Sequence, residues 1–143
     1  MTFYTDLYVK NGYGYWQSEK TALDPCPYGW KVPDGGEDGI WAKAMNRNDI
    51  FNDGSLIVEC GLNFSGLLGA DEMIYYPAAG SIVDSSFENI LYGYYWSSFH
   101  HRRDDTSDLC AHQFYFHVSG EVNPTEAVFG YSMGASVRCQ KDE

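Results

Sequence analysis

The sequence predicts an α+β domain, rich in strand and carrying one or two short helices, on three observations. Aromatic residues form 17% of the chain, with 12 Tyr, 8 Phe and 4 Trp, and they gather in short runs that read as half-buried strands. Fifteen Gly and five Pro recur too often to leave room for long helices. Hydrophobic residues at 44% against 20% charged describe a packed core rather than a disordered chain. With 143 residues, the whole chain, 1–143, is expected to close as a single domain without a metal or an obligate partner.

Taken in order, the first well-defined segment is Pro25-Cys26-Pro27-Tyr28-Gly29-Trp30-Lys31-Val32-Pro33. Three prolines in nine residues forbid helix and favour an extended path bounded by turns. Asp34-Gly35-Gly36-Glu37-Asp38-Gly39 then leads into Ile40-Trp41-Ala42-Lys43-Ala44-Met45. Ile40, Trp41, Ala44 and Met45 share a helical face, and the acids ahead of them suit a helix N-terminus, so a short helix is expected over about residues 37–46. From Phe51 to Gly69, apolar stretches such as Leu56-Ile57-Val58 alternate with Asn and Gly, which fits a strand or an irregular core segment. Met73 to Ile82 reads as a strand that ends or bulges at Pro77. Leu91-Tyr92-Gly93-Tyr94-Tyr95-Trp96-Ser97-Ser98 is the strongest strand signal. His112 to Val118 alternates, with Phe114, Phe116 and Val118 expected inward and Gln113, Tyr115 and His117 outward. Ala135 to Cys139 reads as a short closing strand, and two polar loops are expected, over about 99–110 and about 119–134.

The net charge is −11, from 20 acidic and 9 basic residues. Phosphate binding needs a positive surface, so nucleic acid and anionic membranes are poor partners. No apolar run approaches the roughly 20 residues of a membrane span, so direct insertion is not expected. Met1 to Asp6 has neither the basic nor the apolar part of a secretory signal. Within this acidic chain His100-His101-Arg102-Arg103 forms a local basic run.

Four cysteines, at 26, 60, 110 and 139, permit two disulfides, but pairing cannot be read from spacing. Cys60 and Cys110 read as buried free thiols. No Cys or His spacing fits a zinc site. Asp34, Glu37 and Asp38 are hard oxygen donors, yet their spacing is not that of an EF-hand loop, and helix capping is the reading taken. His112 and His117 are five apart, which sends them to opposite faces of a strand, and the Arg pair beside His100 and His101 would repel a cation. No metal or other cofactor is therefore expected. Ser97 and Ser98 lack a nucleophile-elbow context, there is no phosphate loop or dinucleotide fingerprint, and Cys110 beside His112 lacks an orienting third group. A non-enzymatic chain is expected. The segments 99–110 and 119–134 mix aromatic, small and charged residues in the manner of antibody-like binding loops.

Four motifs in order resemble one family. Asp24-Pro25-Cys26-Pro27-Tyr28-Gly29-Trp30-Lys31-Val32-Pro33, Tyr76-Pro77-Ala78-Ala79-Gly80, Tyr95-Trp96-Ser97-Ser98 and Gly134-Ala135-Ser136-Val137-Arg138-Cys139 are similar to the motifs of the Fibrobacter succinogenes major paralogous domain family. That family is abundant in Bacteroidetes surface proteins, and the resemblance implies a C-type-lectin-like fold. It also implies that the first and last motifs meet, which would bring Cys26 and Cys139 close enough to bond. Trp96-Ser97-Ser98, Val122-Asn123-Pro124 and Ser136-Val137-Arg138 further resemble the frame of the variable proteins of diversity-generating retroelements, in which the segment between the first and last motifs is randomised at adenines. His100, His101, Arg102, Arg103, Asp105, His112, Tyr115, His117, Thr125, Ala127, Val128, Gly130 and Ser132 are all reachable from such codons, whereas Gln113, Glu121, Glu126 and Met133 are not.

The resemblance implies a ligand face made of those thirteen positions and Gln113, on a scaffold pinned by Trp30, Trp41 and Trp96. Its partner would be a macromolecule, a protein or glycan on another cell or host surface. The basic run would favour an acidic partner, more so below about pH 6.5 as histidine charges. Display at a bacterial surface, on a pilus or on a phage is expected, as part of an adhesin or as a domain excised from one. Two other readings stay open. A calcium-dependent carbohydrate-binding lectin would need a carboxylate–amide cage, and neither Glu-Pro-Asn nor Trp-Asn-Asp occurs. A relative of the formylglycine-generating oxidases would need a working thiol pair, for which Cys60 and Cys110 would have to serve.

Overall fold

The chain runs through β1 (Trp30–Lys31), α1 (Ile40–Met45), β2 (Phe51–Asn52), a 3₁₀ turn (Gly54–Leu56), β3 (Ile57–Val58), β4 (Gly61–Asn63), β5 (Tyr75–Pro77), β6 (Ser81–Val83), β7 (Ser86–Glu88), β8 (Tyr92–Arg102), β9 (Leu109–His117), β10 (Glu121–Phe129) and β11 (Gln140–Lys141). The computed structural model describes residues 16–64, 74–102, 109–129 and 134–142, with the backbone alone at 101–102, 109–110 and 128–129. The described part is β-rich with one short α-helix, an α+β arrangement as the composition predicts.

A four-stranded antiparallel sheet in the order β2-β10-β9-β8 carries the molecule. Directly paired residues of antiparallel strands share a face. Tyr95 opposite Phe114 and Gly93 opposite Phe116 form the inner face, while Trp96 opposite Gln113, Tyr94 opposite Tyr115 and Tyr92 opposite His117 form the outer one. Gly93 is required there, because a Cβ would run into the Phe116 ring. Each long strand is interrupted once. The β8–β9 register shifts between Trp96 and His100, and the β10–β9 register shifts between Asn123 and Glu126, around Pro124, which has no N–H to give a ladder. The free edge of β8 is covered by Gly80, whose N–H donates to Tyr92 O at 2.8 Å, and by Ser136, which exchanges bonds of 2.9 and 3.0 Å with Trp96 and Tyr94.

The inner face packs on α1, β4 and β5. Trp41, Met45, Leu62, Phe64, Tyr76, Tyr95, Phe114, Phe116 and Val122 form one buried cluster, in which Trp41 stacks on Phe114 at 5.2 Å. Its polar atoms are partnered: Trp41 Nε1 donates to Tyr76 Oη at 3.2 Å and Tyr95 Oη to Pro77 O at 2.6 Å. Burial raises the pKa of both tyrosines. The outer face is covered over only part of its length, by Trp16, Cys26, Val32 and Ala135 packed against Trp96 and Ala111.

The chain ends meet through β1 and β11 and through a disulfide between Cys26 and Cys139, 113 residues apart with Cα atoms 5.8 Å apart. Asp24 shapes this corner. Its buried carboxylate accepts the N–H groups of Cys26 at 2.8 Å and Val32 at 2.9 Å, and it pairs with Lys20 Nζ at 3.1 Å. Arg138 donates to Tyr75 O and lies over the Tyr76 ring at 4.5 Å, tying the closing segment to β5.

Several expectations change. The helix is shorter than predicted, begins after Gly39 without a side-chain cap and buries Ala42 with Trp41 and Met45; Asp34, Glu37 and Asp38 lie before its first turn and do not cap it. Asn46 ends it in the left-handed region at φ 54°, a conformation asparagine tolerates. The predicted 119–134 loop is largely β10, because Pro124 is absorbed in a bulge instead of ending the strand. The 99–110 loop is likewise narrowed by β8 and β9. Ala135–Cys139 is no ladder strand: Gly134 and Ser136 make isolated bridges and the pairing strand is β11. Val118 is half-buried beyond the end of β9. Trp30 is 43% exposed and pins nothing; Trp16 takes that place in the second cluster. Cys60 is exposed with a free thiol. The Cys110 side chain lies outside the described ones.

Candidate functional site

The Ser97–Phe99 bulge of β8 creates the site. Ser97 and Ser98 are buried: Ser97 Oγ donates to His112 O at 2.8 Å, and the Ser98 N–H donates to Pro33 O at 2.8 Å. The second bond seats the Asp34–Asp38 turn against β8. A Cβ at Gly35 would overlap Ser97, and one at Gly36 would press on the Phe99 ring at 3.0 Å, so the two glycines allow this close approach. Between the turn and the ends of β8, β9 and β10 lies a cleft of about 810 Å³, lined among others by Phe99, His100, His112, Thr125, Glu37 and Asp38.

Phe99, 42% exposed, meets the His112 ring edge-on at 4.7 Å. His100 Nδ1 lies 3.3 Å from Ser98 O. Thr125 Oγ1 donates to Asn48 O at 2.9 Å, while its N–H is held by Asn123 Oδ1 at 3.0 Å. Asp34 also lines the cleft, with its carboxylate 3.2 Å from Lys31 Nζ and 3.3 Å from Gln140 Nε2. Glu37 and Asp38 are exposed. The basic run was expected to favour an acidic partner; His100 instead shares its cleft with three carboxylates, which an acidic ligand would meet there.

A second group of predicted residues lies elsewhere, on the half-exposed part of the outer face. Tyr92, Tyr94 and Tyr115 form an offset array with ring centroids 5.5–5.8 Å apart, and His117 lies 4.4 Å from Tyr92. Tyr115 Oη donates to Glu121 Oε1, and Asn123 Nδ2 donates to Glu126 Oε2 at 2.6 Å. Burial first, then the Glu121 carboxylate, pushes the Tyr115 hydroxyl far above its usual range. Burial first, then Tyr92, Glu126 and Glu121, raises that of Tyr94. Burial also raises Glu126, against the lowering effect of Asn123.

The structure thus divides the predicted ligand face. His100, His112 and Thr125 meet in the cleft, and Tyr115 and His117 on the outer face. Gln113 was expected outward to solvent and is 1% exposed, because Trp96 opposite it belongs to the covered part of that face. Ala127 is exposed on β10. His101, Arg102 and Val128 are placed by backbone alone, in β8 and β10, and Arg103, Asp105, Gly130 and Ser132 lie outside the described residues. The 34–38 turn, Tyr92 and Tyr94 were not foreseen as parts of a site; Phe99, Glu121 and Glu126 fall in the segments read as binding loops but were not singled out. The i, i+2 spacing of Tyr92 and Tyr94 could have placed those two together; no local signal shows where the turn docks.

Among the described residues no group of three or more His, Cys, Asp or Glu is arranged to hold a metal ion, and no helix is long and apolar enough to cross a membrane. No protein-family model, curated protein or solved structure matches the chain.

Proposed function

We propose that the chain is a non-enzymatic, C-type-lectin-like binding domain of the kind diversified by retroelements, whose ligand is a macromolecule on another cell or host surface. One observation carries this reading. His100, His112 and Thr125, from three different strands between the Trp96-Ser97-Ser98 and Ser136-Val137-Arg138 motifs, line a single cleft. A segment that the resemblance marks as variable thereby supplies one wall of a pocket. The other wall, Asp34 to Asp38, comes from outside that segment.

Two further features support it. The Cys26–Cys139 bond joins the first and last motifs in the manner the resemblance implies, and it suits display in an oxidising compartment at a bacterial surface, pilus or phage. Strand-borne positions with solvent-facing side chains, such as Ala127, tolerate replacement at under about 0.5 kcal/mol each, which a diversified surface needs.

Sequencing codons 96–139 in many individual cells of the source population tests the reading. Substitutions confined to adenines, and concentrated at His100, His112, Thr125 and Ala127, are expected. An invariant stretch would overturn the diversified reading and leave a fixed binder. As a second test, a library randomised at those four positions is displayed and selected against a panel of unrelated proteins. Folded members that acquire target-specific binding are expected; a library that loses the fold, or that yields no binder, would sink the proposal.

A further inference from the structure

We propose that the tyrosine-rich part of the central sheet's outer face, half-exposed among the described residues, receives an arginine or lysine side chain on a basic segment of a partner protein. The receiving group is the ring array of Tyr92, Tyr94, Tyr115 and His117, bordered by Glu121 and Glu126. The inference rests on the binding-domain reading and assigns its ligand a chemistry.

The residues reach this face by register. Successive cross-strand rows place Trp96 beside Gln113 and Glu126, then Tyr94 beside Tyr115 and Asn123, then Tyr92 beside His117. In the first row Trp96 and Gln113 are buried and Glu126 is half-exposed; the next two rows are half-exposed. Rings spaced 5.5–5.8 Å apart at interplanar angles of 15–36° form a near-parallel to tilted array in which each tyrosine keeps part of its surface exposed, and aromatic rings carry electron-rich faces. Such faces attract guanidinium and ammonium groups.

The polar border is acceptor-rich. Glu121 and Glu126 make no ion pair with Lys or Arg among the described residues, whose ion pairs, Lys20–Asp24, Lys31–Asp34 and Arg47–Asp49, lie elsewhere. Asn123, which could have served a sugar hydroxyl, is engaged at both ends of its amide, by Glu126 and by the Thr125 N–H. A ligand must therefore bring donors, and guanidinium brings five in a planar fork. Both carboxylates are already held, by Tyr115 and by Asn123, so a ligand need not order them. The net charge of −11 draws a basic partner and repels an acidic one.

The test is an NMR titration of the intact chain, with labelled tyrosine rings, by a hexapeptide alternating arginine and glycine. Saturable shifts of the Tyr92, Tyr94 and Tyr115 signals are expected, weakening as salt rises, with no response to the matching glutamate–glycine peptide. Glu121→Gln with Glu126→Gln should weaken binding about fivefold, and Tyr92→Leu by a similar factor. Each variant is first checked for the native near-ultraviolet circular dichroism, and the peptide charge swap makes the same test on the unaltered protein. Absence of ring shifts with the arginine peptide would overturn the inference, as would an affinity unchanged in the double glutamine variant. A response to chitotriose equal to that of the peptide would also overturn it, making the face a sugar platform. Adenine-confined diversification found together with a silent titration would remove this inference and leave the binding-domain reading standing.

Discussion

The two faces of the central sheet are built from alternate residues of the same strands, yet they do opposite work. The inner face, Tyr95, Phe114, Phe116 and Val122, is sealed by α1 and β4–β5, and its few polar atoms are all turned to a partner. The outer face begins as core at Trp96 and Gln113 and gives way to half-exposed tyrosine and histidine over the next two rows. Aromatic content alone therefore does not mark a core. A ring enclosed by other rings stabilises the fold, whereas a half-exposed ring contributes less to the core.

Replacing a residue on the sealed face should be the more damaging change. Phe114→Ala removes a fully buried ring that contacts Trp41, Phe64 and Tyr76, and should cost about 3–5 kcal/mol in chemical denaturation. Tyr115→Phe, one residue along on the open face, loses a bond to Glu121 and should cost no more than about 1 kcal/mol. Equal losses would break the contrast between the faces. At the corner where the termini meet, Asp24→Ala leaves two N–H groups without their acceptor and Lys20 without its carboxylate, and a loss of about 3 kcal/mol is expected from the same measurement. Reducing the Cys26–Cys139 bond frees a loop of 113 residues and should lower stability by about 4 kcal/mol, read from melting with and without reductant.

In titration the two faces behave alike. Tyr76, Tyr94, Tyr95 and Tyr115 all have raised hydroxyl pKa values, with burial the first cause in each. The unfolded chain releases these protons near pH 10, before the folded one does, so stability is full below that pH and falls above it. Absorbance at 295 nm should show these phenols ionising only with unfolding. The smallest effect is expected at Glu126. Its raised pKa penalises the folded state once the carboxylate ionises, so the penalty is absent below about pH 4.5 and present at neutral pH. Glu126→Gln should stabilise the fold by no more than about 0.5 kcal/mol at pH 7, because the group is half solvated, and the gain should vanish at pH 3.

Much of the frame was legible in the residues because its signals are local. Period-two alternation placed Phe114 and Phe116 inside, and three prolines placed an extended corner at residues 25–33. The pairing of Cys26 with Cys139 came from the resemblance, not from spacing. The site was legible only in part. Gln113 obeys the alternation and still lies buried, because what covers the outer face at that row, Trp16, Val32 and Ala135, arrives from both ends of the sequence. Pro124 falls in a segment that reads as a polar loop, yet neighbouring strands on both sides of β10 keep it in the sheet as a bulge. The acids at 34–38 read as a helix cap and became a cleft wall, since one bond from Ser98 to Pro33 and two glycines decide where that turn lies.

By itself the sequence determined the strand-rich class, the short helix and the inward rings of β9. All of these follow from residue type and spacing within a few positions, where sterics and polarity act directly. The tertiary structure alone decided which of two aromatic faces stays open, which histidines share a cleft and which carboxylates border the tyrosine rings. Those depend on register between strands and on segments more than a hundred residues apart closing over one sheet, which no local pattern encodes.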